Sequence, residues 1–367
     1  MVRILVVCLV WAGLHFYVVS RLLSIPFIAH SIPAQLLIPV VLVLGASYIV
    51  SRVLEHYGID GLSHVLEIVG AYWVGGFFLL FSAFLACDVC TGFGLWLRPQ
   101  VPALRTAALI LALLMTIVAL MQARRPPVVT EYEVSLDGLP LEADGTVLVV
   151  ASDMHLGALL GHGWASERAA QFESLRPGLL LLVGDIFEGD ETAYPGWLPV
   201  LQQFRASHGV YVVTGNHEFY AGGTKIIDLF RRANFHVLRD ESIEPIPGLV
   251  LTGVDDVAFR GRAAHAVILE KVLGQRPKGA SVLLSHTPLE TQRAADAGVG
   301  LMLCGHTHEG QIWPFTYLVR LAFPITSGRY RVQGMTAIVC RGTGTWGPRM
   351  RLFKRSEVLR ITVRSKS

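Results

Sequence analysis

Charge is scarce in this sequence. Only 16% of its 367 residues are charged, whereas 52% are apolar. The shortage is local: residues 1–122 hold very few ionisable groups, and residues 123–367 carry the charge of an ordinary water-soluble domain. This excludes the wholly soluble chain of about two domains that length alone would suggest. The runs 4–20, 22–51, 68–87 and 106–122 contain no Asp, Glu, Lys or Arg. A helix needs about 20 apolar residues to cross the hydrocarbon core, so each run predicts a transmembrane helix. The spans fall near 4–20, 34–51, 68–87 and 105–122, the second starting after Pro33. Arg3 ahead of an apolar stretch resembles a signal sequence, but a small-x-small cleavage site is lacking and further spans follow, so an anchor is expected.

Cysteine is also scarce. Five residues make no disulfide framework. Cys87-x-x-Cys90 has redox or zinc spacing but no second pair beside it, so core cysteine is the expected reading there, and Cys304 and Cys340 lie in apolar runs that read as strands. A strong excess of one charge is missing too: the net +3 gives no reason to expect a nucleic-acid partner. From Arg320 onward, however, eleven Lys or Arg face a single acid, Glu357. Such a stretch suits anionic headgroups, a phosphorylated substrate or a plain solvated face. The spans hold almost no ionisable residue, which argues against a transporter or sensor built from them. The flanking charges, Arg3, Arg52, Arg124 and Arg125 against Arg21, Arg98 and Arg105, lean toward termini and large domain in the cytoplasm.

After the last span, Arg124-Arg-Pro-Pro127 ends the helix. Residues 123–145 read as a linker and first hairpin, with Tyr132–Leu136 alternating like a strand and Asp137-Gly138 as its turn. Residues 146–367 read as one α/β domain. Short apolar runs at 146–151, 179–183, 210–214, 249–254, 281–285 and 300–304 read as buried strands, and 164–175, 224–233 and 263–273 have helical spacing.

Five of those strands end in metal-ligand residue types. They lead into Asp153-Met-His155, Gly184-Asp185, Gly215-Asn216-His217-Glu218, His286 and Gly305-His306-Thr-His308. Ligand sites in α/β folds form at the carboxyl ends of strands, so these groups are placed to converge. Asp153, His155, Asp185, Asn216, His286, His306 and His308 offer oxygen and imidazole nitrogen without thiolate, which suits Mn, Fe or Zn in a reactive site better than structural zinc. Seven ligands are too many for one tetrahedral ion and fit two ions sharing a carboxylate. Any one of them alone reads as a cap, a turn residue or a structural histidine. The joint pattern is what points to metal.

Asp-x-His, Gly-Asp, Gly-Asn-His-Glu, a lone His and Gly-His-x-His, in that order over residues 153–308, resemble the calcineurin-like metallophosphoesterase superfamily. Glu309-Gly310-Gln311 and Arg341-Gly-Thr-Gly-Thr-Trp-Gly-Pro348 further resemble a bacterial, often membrane-attached branch with phosphodiesterases of the YkuE and YaeI type. The resemblance implies two mixed sheets sandwiched together and flanked by helices. It implies two divalent ions, one held by Asp153, His155, Asp185 and His308, the other by Asp185, Asn216, His286 and His306, with Asp185 bridging. A metal-bridged hydroxide would attack phosphorus, and His217 would serve the phosphoryl oxygen or the leaving group. Glu218 either orients that histidine or is a solvated charge at a helix start. Phe219, Tyr220 and Trp313 either line the pocket or pack in the core. Two positions depart from the pattern: Glu188 replaces a common Asp, outside the expected ligand set, and Glu309 puts an acid beside the site, where it would alter substrate preference.

The expected protein is therefore a multi-pass bacterial inner-membrane phosphodiesterase acting on a phosphoester, with a lipid-linked substrate suggested by the anchor. A phosphomonoesterase is the enzymatic alternative. An inactive metal-binding interaction module is the alternative of another class.

Overall fold

The computed structural model describes residues 2–188, 196–220 and 223–366. It forms two compact units, Met1–Arg124 with Gly347–Phe353, and Arg125–Trp346 with Lys354–Ser367.

The first unit contains the helices Val2–Leu23, Pro26–Ser31, Ala34–His56, Asp60–Cys90 and Val101–Arg124. Four of these, among the described residues, are long and apolar enough to cross a membrane. The helices run past the charge-free stretches because the polar residues at their ends are paired within the bundle. Asp88 is buried, with Arg21 Nε at 2.5 Å and Arg105 Nη2 at 2.9 Å, and it accepts a hydrogen bond from the Tyr17 hydroxyl at 2.9 Å. One carboxylate thus joins three helices. Arg52 pairs with Glu55 at 2.8 Å and Glu67 at 2.9 Å, linking the helix Ala34–His56 to Asp60–Cys90. His15 is satisfied at both nitrogens, by the Trp11 carbonyl at 2.9 Å and the Trp73 indole N–H at 3.1 Å. Residues 347–353, which the sequence placed in the α/β region, cluster with these helices: the Arg351 amide donates to the Ala119 carbonyl at 2.9 Å.

The second unit is a sandwich of two mixed sheets. Its strands are β1 (Val128–Leu136), β2 (Val147–Ala151), β3 (Leu179–Val183), β4 (Val210–Val213), β5 (Phe235–Val237), β6 (Glu241–Ile246), β7 (Leu249–Gly253), β8 (Ala280–Leu284), β9 (Leu301–Cys304), β10 (Gly328–Val332), β11 (Met335–Val339) and β12 (Glu357–Ser365). Among the described residues, one sheet has the order β1-β12-β2-β3-β4-β5 and the other β10-β11-β9-β8-β7-β6. Strands β2 to β5 are mutually parallel, as are β7, β8, β9 and β11.

Successive strand side chains point to opposite faces, and here both faces are apolar. Leu148, Val150, Leu179 and Leu181 pack with Leu249, Leu251, Val282 and Leu303 between the sheets. Val149, Leu180 and Leu182 face outward to the helix His162–Ser174, and Leu283 and Met302 to the helix Arg262–Gln275. Burial on both faces is why these strands read as continuous apolar runs.

The expected hairpin at 123–145 does not form. β12 lies between β1 and β2, parallel to the first and antiparallel to the second. Gly138 does turn the chain, with φ +76°, but Pro140 and the 3-10 turn Leu141–Ala143 lengthen the connection beyond a hairpin loop. The far C-terminal strand takes the place in between.

Candidate functional site

Strands β2, β3, β4, β8 and β9 all deliver their last residues to one region. Asp153, His155, Asp185, Asn216, His286 and His308 are all buried, and His306 is partly so. Asp153, His155, Asp185, His306 and His308 have φ between +47° and +70°. Non-glycine residues occupy that region at a cost of order 1–3 kcal/mol each, and such strain gathers at functional sites. Glycine is required next to them. A Cβ on Gly215 would strike the Asp185 carboxylate, and one on Gly305 would strike Asp153 and Ser152.

Ligand-type atoms cluster in three overlapping groups among the described residues: Asp153, His155 and His308; His155, Asp185 and His217; Asp185, His286 and His306. Within each group the atoms lie within 4.8 Å of one another. Asp185 belongs to two groups, which is the position of a shared carboxylate.

Hydrogen bonds fix which imidazole nitrogen is available. His286 Nδ1 lies 2.8 Å from the Val183 carbonyl, which can only accept, so Nδ1 carries a proton and Nε2 is the nitrogen turned to Asp185. His286 Nε2 is buried and makes no hydrogen bond among the described residues, although Asp185 Oδ2 is 3.1 Å away. His155 Nδ1 lies 2.6 Å from Glu188 Oε2, again leaving Nε2 for a ligand. That Nε2 faces His308 Nε2 at 3.0 Å, and His308 Nε2 is 3.3 Å from Asp153 Oδ1. The Asn216 side-chain oxygen is buried without a hydrogen-bond partner among the described residues. Nitrogen and oxygen ligand atoms gathered in this way fit divalent cations, and they are the types that Mn, Fe and Zn accept.

The electrostatics also call for positive charge. Burial pushes the Asp153 carboxyl above its ordinary range, and the nearby Asp185 adds to this. Burial disfavours the charged form of His286, but Asp185, Asp153 and Asp256 outweigh it and raise its pKa well above the ordinary value. Asp185 itself is held below the carboxylate range, against burial, by His286 and His155.

Glu188 has a role that the sequence did not reveal. Its Oε2 is 2.6 Å from His155 Nδ1 and 3.1 Å from His217 Nδ1, so it ties a candidate metal ligand to the candidate catalytic histidine. Burial opposes the charge on His217, yet Glu188 and Asp185 raise its pKa to about 9. Glu218 is neither a solvated charge nor placed to orient His217, the two expectations for it. It is buried, and its oxygens accept the backbone N–H groups of Asp185 at 2.9 Å, Ile186 at 2.7 Å, Phe187 at 3.2 Å and Gly215 at 2.7 Å. A helix that opens at Asn216 carries Glu218 inward beneath the Asp185 loop, and the same turn leaves the His217 ring toward Glu188.

Core packing, one of two expectations for Tyr220 and Trp313, does not hold: both are exposed, and the Tyr220 ring lies 5.6 Å from that of His217. Phe219 stacks on Phe259 at 4.3 Å. Trp346 is 6.4 Å from His217, ring to ring, and is clamped by Gln311, whose amide donates to its carbonyl at 2.9 Å and whose oxygen accepts its N–H at 2.8 Å. Glu309 is buried, and its carboxylate faces Lys354 Nζ at 3.2 Å, Arg341 Nε at 3.9 Å and Arg320 Nη2 at 4.0 Å. It therefore acts on neighbouring cations.

Residues 146–310 match the Calcineurin-like phosphoesterase family. A transmembrane protein with metallophosphoesterase domain from Bos taurus is 32% identical over 280 residues, covering 72% of this chain and 63% of that protein. A metallophosphoesterase of Aquifex aeolicus is 33% identical over 245 residues, covering 65% of this chain and 92% of its own length. The metallophosphoesterase YkuE of Bacillus subtilis is 26% identical over 247 residues, covering 64% of this chain and 85% of that one. The chain spans 63% and 62% of the length of the transmembrane relatives from Bos taurus and Danio rerio.

Proposed function

Because the chain belongs to the calcineurin-like phosphoesterase family, we propose that it is a membrane-anchored hydrolase that cleaves a phosphodiester with the help of two divalent metal ions. The observation that carries this reading is the convergence of buried imidazole and carboxylate groups in clusters of ligand spacing, with Asn216 Oδ1 buried and without a hydrogen bond among the described residues. Asp153, His155, Asp185 and His308 would hold one ion, and Asp185, Asn216, His286 and His306 the other. When bound, such ions lower the pKa of a water to near neutrality and neutralise charge on the phosphoryl oxygens. The residues of the chain supply the rest.

His217 is the proton donor in this proposal. Glu188 occupies its Nδ1, so Nε2 is the nitrogen left for the substrate, and the Glu188 carboxylate favours the protonated ring. It can then donate to a phosphoryl oxygen or to the leaving oxygen. Glu218 positions the Asp185 loop through its four backbone hydrogen bonds. Residues 1–122 serve as the anchor, 123–145 as the link and 146–367 as the hydrolytic region in this division of labour. The excess of basic residues on the side of Arg52, Arg124 and Arg125 supports a cytoplasmic active site on a bacterial inner membrane. The anchor supports a lipid-linked phosphoester as substrate.

The test is hydrolysis by the full chain, stripped with chelator and reloaded with Mn, Zn, Fe or Mg, beside Asp185→Asn. Bis-p-nitrophenyl phosphate cleaved faster than p-nitrophenyl phosphate supports the diesterase, and the reverse order makes the protein a monoesterase. Failure to bind any metal would sink the proposal. Equal turnover of soluble and vesicle-borne esters would count against a lipid substrate.

A further inference from the structure

The helix Phe315–Ala322 is turned the wrong way round for a soluble domain. An amphipathic surface helix normally buries its apolar stripe. Here none of the eight residues is buried, and the outward face is the apolar one. Taken around the helix at 100° per residue, Tyr317, Leu321, Leu318 and Ala322 are consecutive, and all are exposed, Leu321 at 85%, Tyr317 at 57% and Leu318 at 54%. Thr316 and Val319, on the opposite side, are only half exposed. Exposed contiguous apolar surface marks a contact with another protein or with a membrane.

Charge selects between these. At the edge of the apolar arc stands Arg320, and Glu309 gathers Arg320, Arg341 and Lys354 at 4.0, 3.9 and 3.2 Å. The side chains of Arg320 and Lys354 are 55% and 46% exposed, and eleven basic residues face one acid from Arg320 to the C-terminus. An apolar face rimmed by cations, with a tyrosine on it, matches the boundary between headgroups and acyl chains of an anionic bilayer. The chain's four candidate spans bring such a bilayer within its reach.

Both ends of the helix are tied to the metal-ligand loops. The chain leaves His308 through Gly310, where a Cβ would meet the Thr316 backbone at 2.5 Å, and returns with the Phe323 ring 5.2 Å from that of His306. An eight-residue helix is about 12 Å long, so whatever its outer face touches lies close to the candidate metal centre.

We propose that the helix Phe315–Ala322 is an interfacial helix, which lays Tyr317, Leu318 and Leu321 into the headgroup boundary of an anionic phospholipid bilayer, with Arg320 and Lys354 on the lipid phosphates. The candidate metal centre, whose loops are tied to both ends of this helix, then lies beside the lipid surface. The proposal does not depend on turnover and is read without it. Leu318→Cys and Leu321→Cys, labelled with an environment-sensitive fluorophore in the full chain, are compared with Lys278→Cys, an exposed position elsewhere. The unsubstituted protein supplies the background of the native cysteines. In nanodiscs of phosphatidylcholine and phosphatidylglycerol, labels at 318 and 321 shift to the blue and lose most of their emission to headgroup-proximal nitroxide lipids. The label at 278 does neither. Omitting phosphatidylglycerol weakens the quenching. Labels at 318 and 321 that are quenched by aqueous iodide and untouched by nitroxide lipid overturn the proposal. So does quenching between labelled copies that disappears on dilution with unlabelled protein, which would assign the face to a second copy of the chain.

Discussion

Glu188 Oε2 stands 3.1 Å from His217 Nδ1, and the same oxygen is 2.6 Å from His155 Nδ1. One carboxylate therefore fixes the tautomer of a candidate metal ligand and the charge of a candidate proton donor. Burial disfavours the Glu188 charge, but hydrogen bonds from the two histidine rings hold its pKa well below the carboxylate range.

Glu188→Gln removes the charge and keeps the shape. Metal affinity or turnover is expected to fall by about 10–100-fold, the usual effect of losing a partner behind a metal ligand. The pKa of His217 should drop with it, because the hydrogen bond to Glu188 is what chiefly raises it. Metal titration and a pH–rate profile of the variant check both parts, and Glu188→Asp should restore some activity.

Asp185→Asn and His286→Ala act on the ligand set itself. Metal content per chain, measured by elemental analysis after reloading, is expected to fall in both, with loss of phosphoester hydrolysis. A variant with full metal content would show that the replaced residue is not a ligand.

Glu218→Ala leaves the N–H groups of Asp185, Ile186, Phe187 and Gly215 without their acceptor in a buried place. Each unsatisfied buried group costs about 1–3 kcal/mol. A loss of stability of several kcal/mol, read as a lower melting temperature, should accompany loss of metal. A mere change in the pH–rate profile with normal stability would restore the role of His217 partner to Glu218.

Asp88→Ala strips Arg21 and Arg105 of their shared carboxylate. Breaking a buried ion pair from one side costs about 3–5 kcal/mol. The variant should show a lower melting temperature in detergent, whereas Arg52→Gln, at a more exposed pair, should change it less.

Burial pushes the Cys340 thiol up to about 12, and Cys304 is raised as well. An unfolded thiol ionises near about 8.5, so the folded chain keeps protons that the unfolded chain releases. Above that pH these two groups make stability fall, because the unfolded state then binds fewer protons. Iodoacetamide at alkaline pH should leave both unmodified in the folded protein and modify both after denaturation, as read by mass spectrometry.

The ligand pattern was legible because each candidate follows a buried strand, and buried strands are the plainest signal in an α/β sequence. Asp153, Asp185, His286 and His306, which the fold gathers into clusters of ligand-type atoms, each stand just past a strand end. The supporting carboxylates were harder. Glu188 and Glu218 are both acids a few residues after a ligand motif, and sequence distance suggested that Glu218, adjacent to His217, was its partner. The helix beginning at Asn216 decided otherwise, since adjacent helical residues do not face each other.

Composition and periodicity alone determined the four apolar helices, the α/β domain and the residues that converge on its candidate metal centre, because burial and strand ends leave local marks. Tertiary structure alone decided that β12 separates β1 from β2, that residues 347–353 cluster with the helices, that Asp88 binds Arg21 and Arg105, and that Glu188 joins His155 to His217. These pairings unite residues distant in the chain, and what selects them is the geometry of packed elements rather than any local preference.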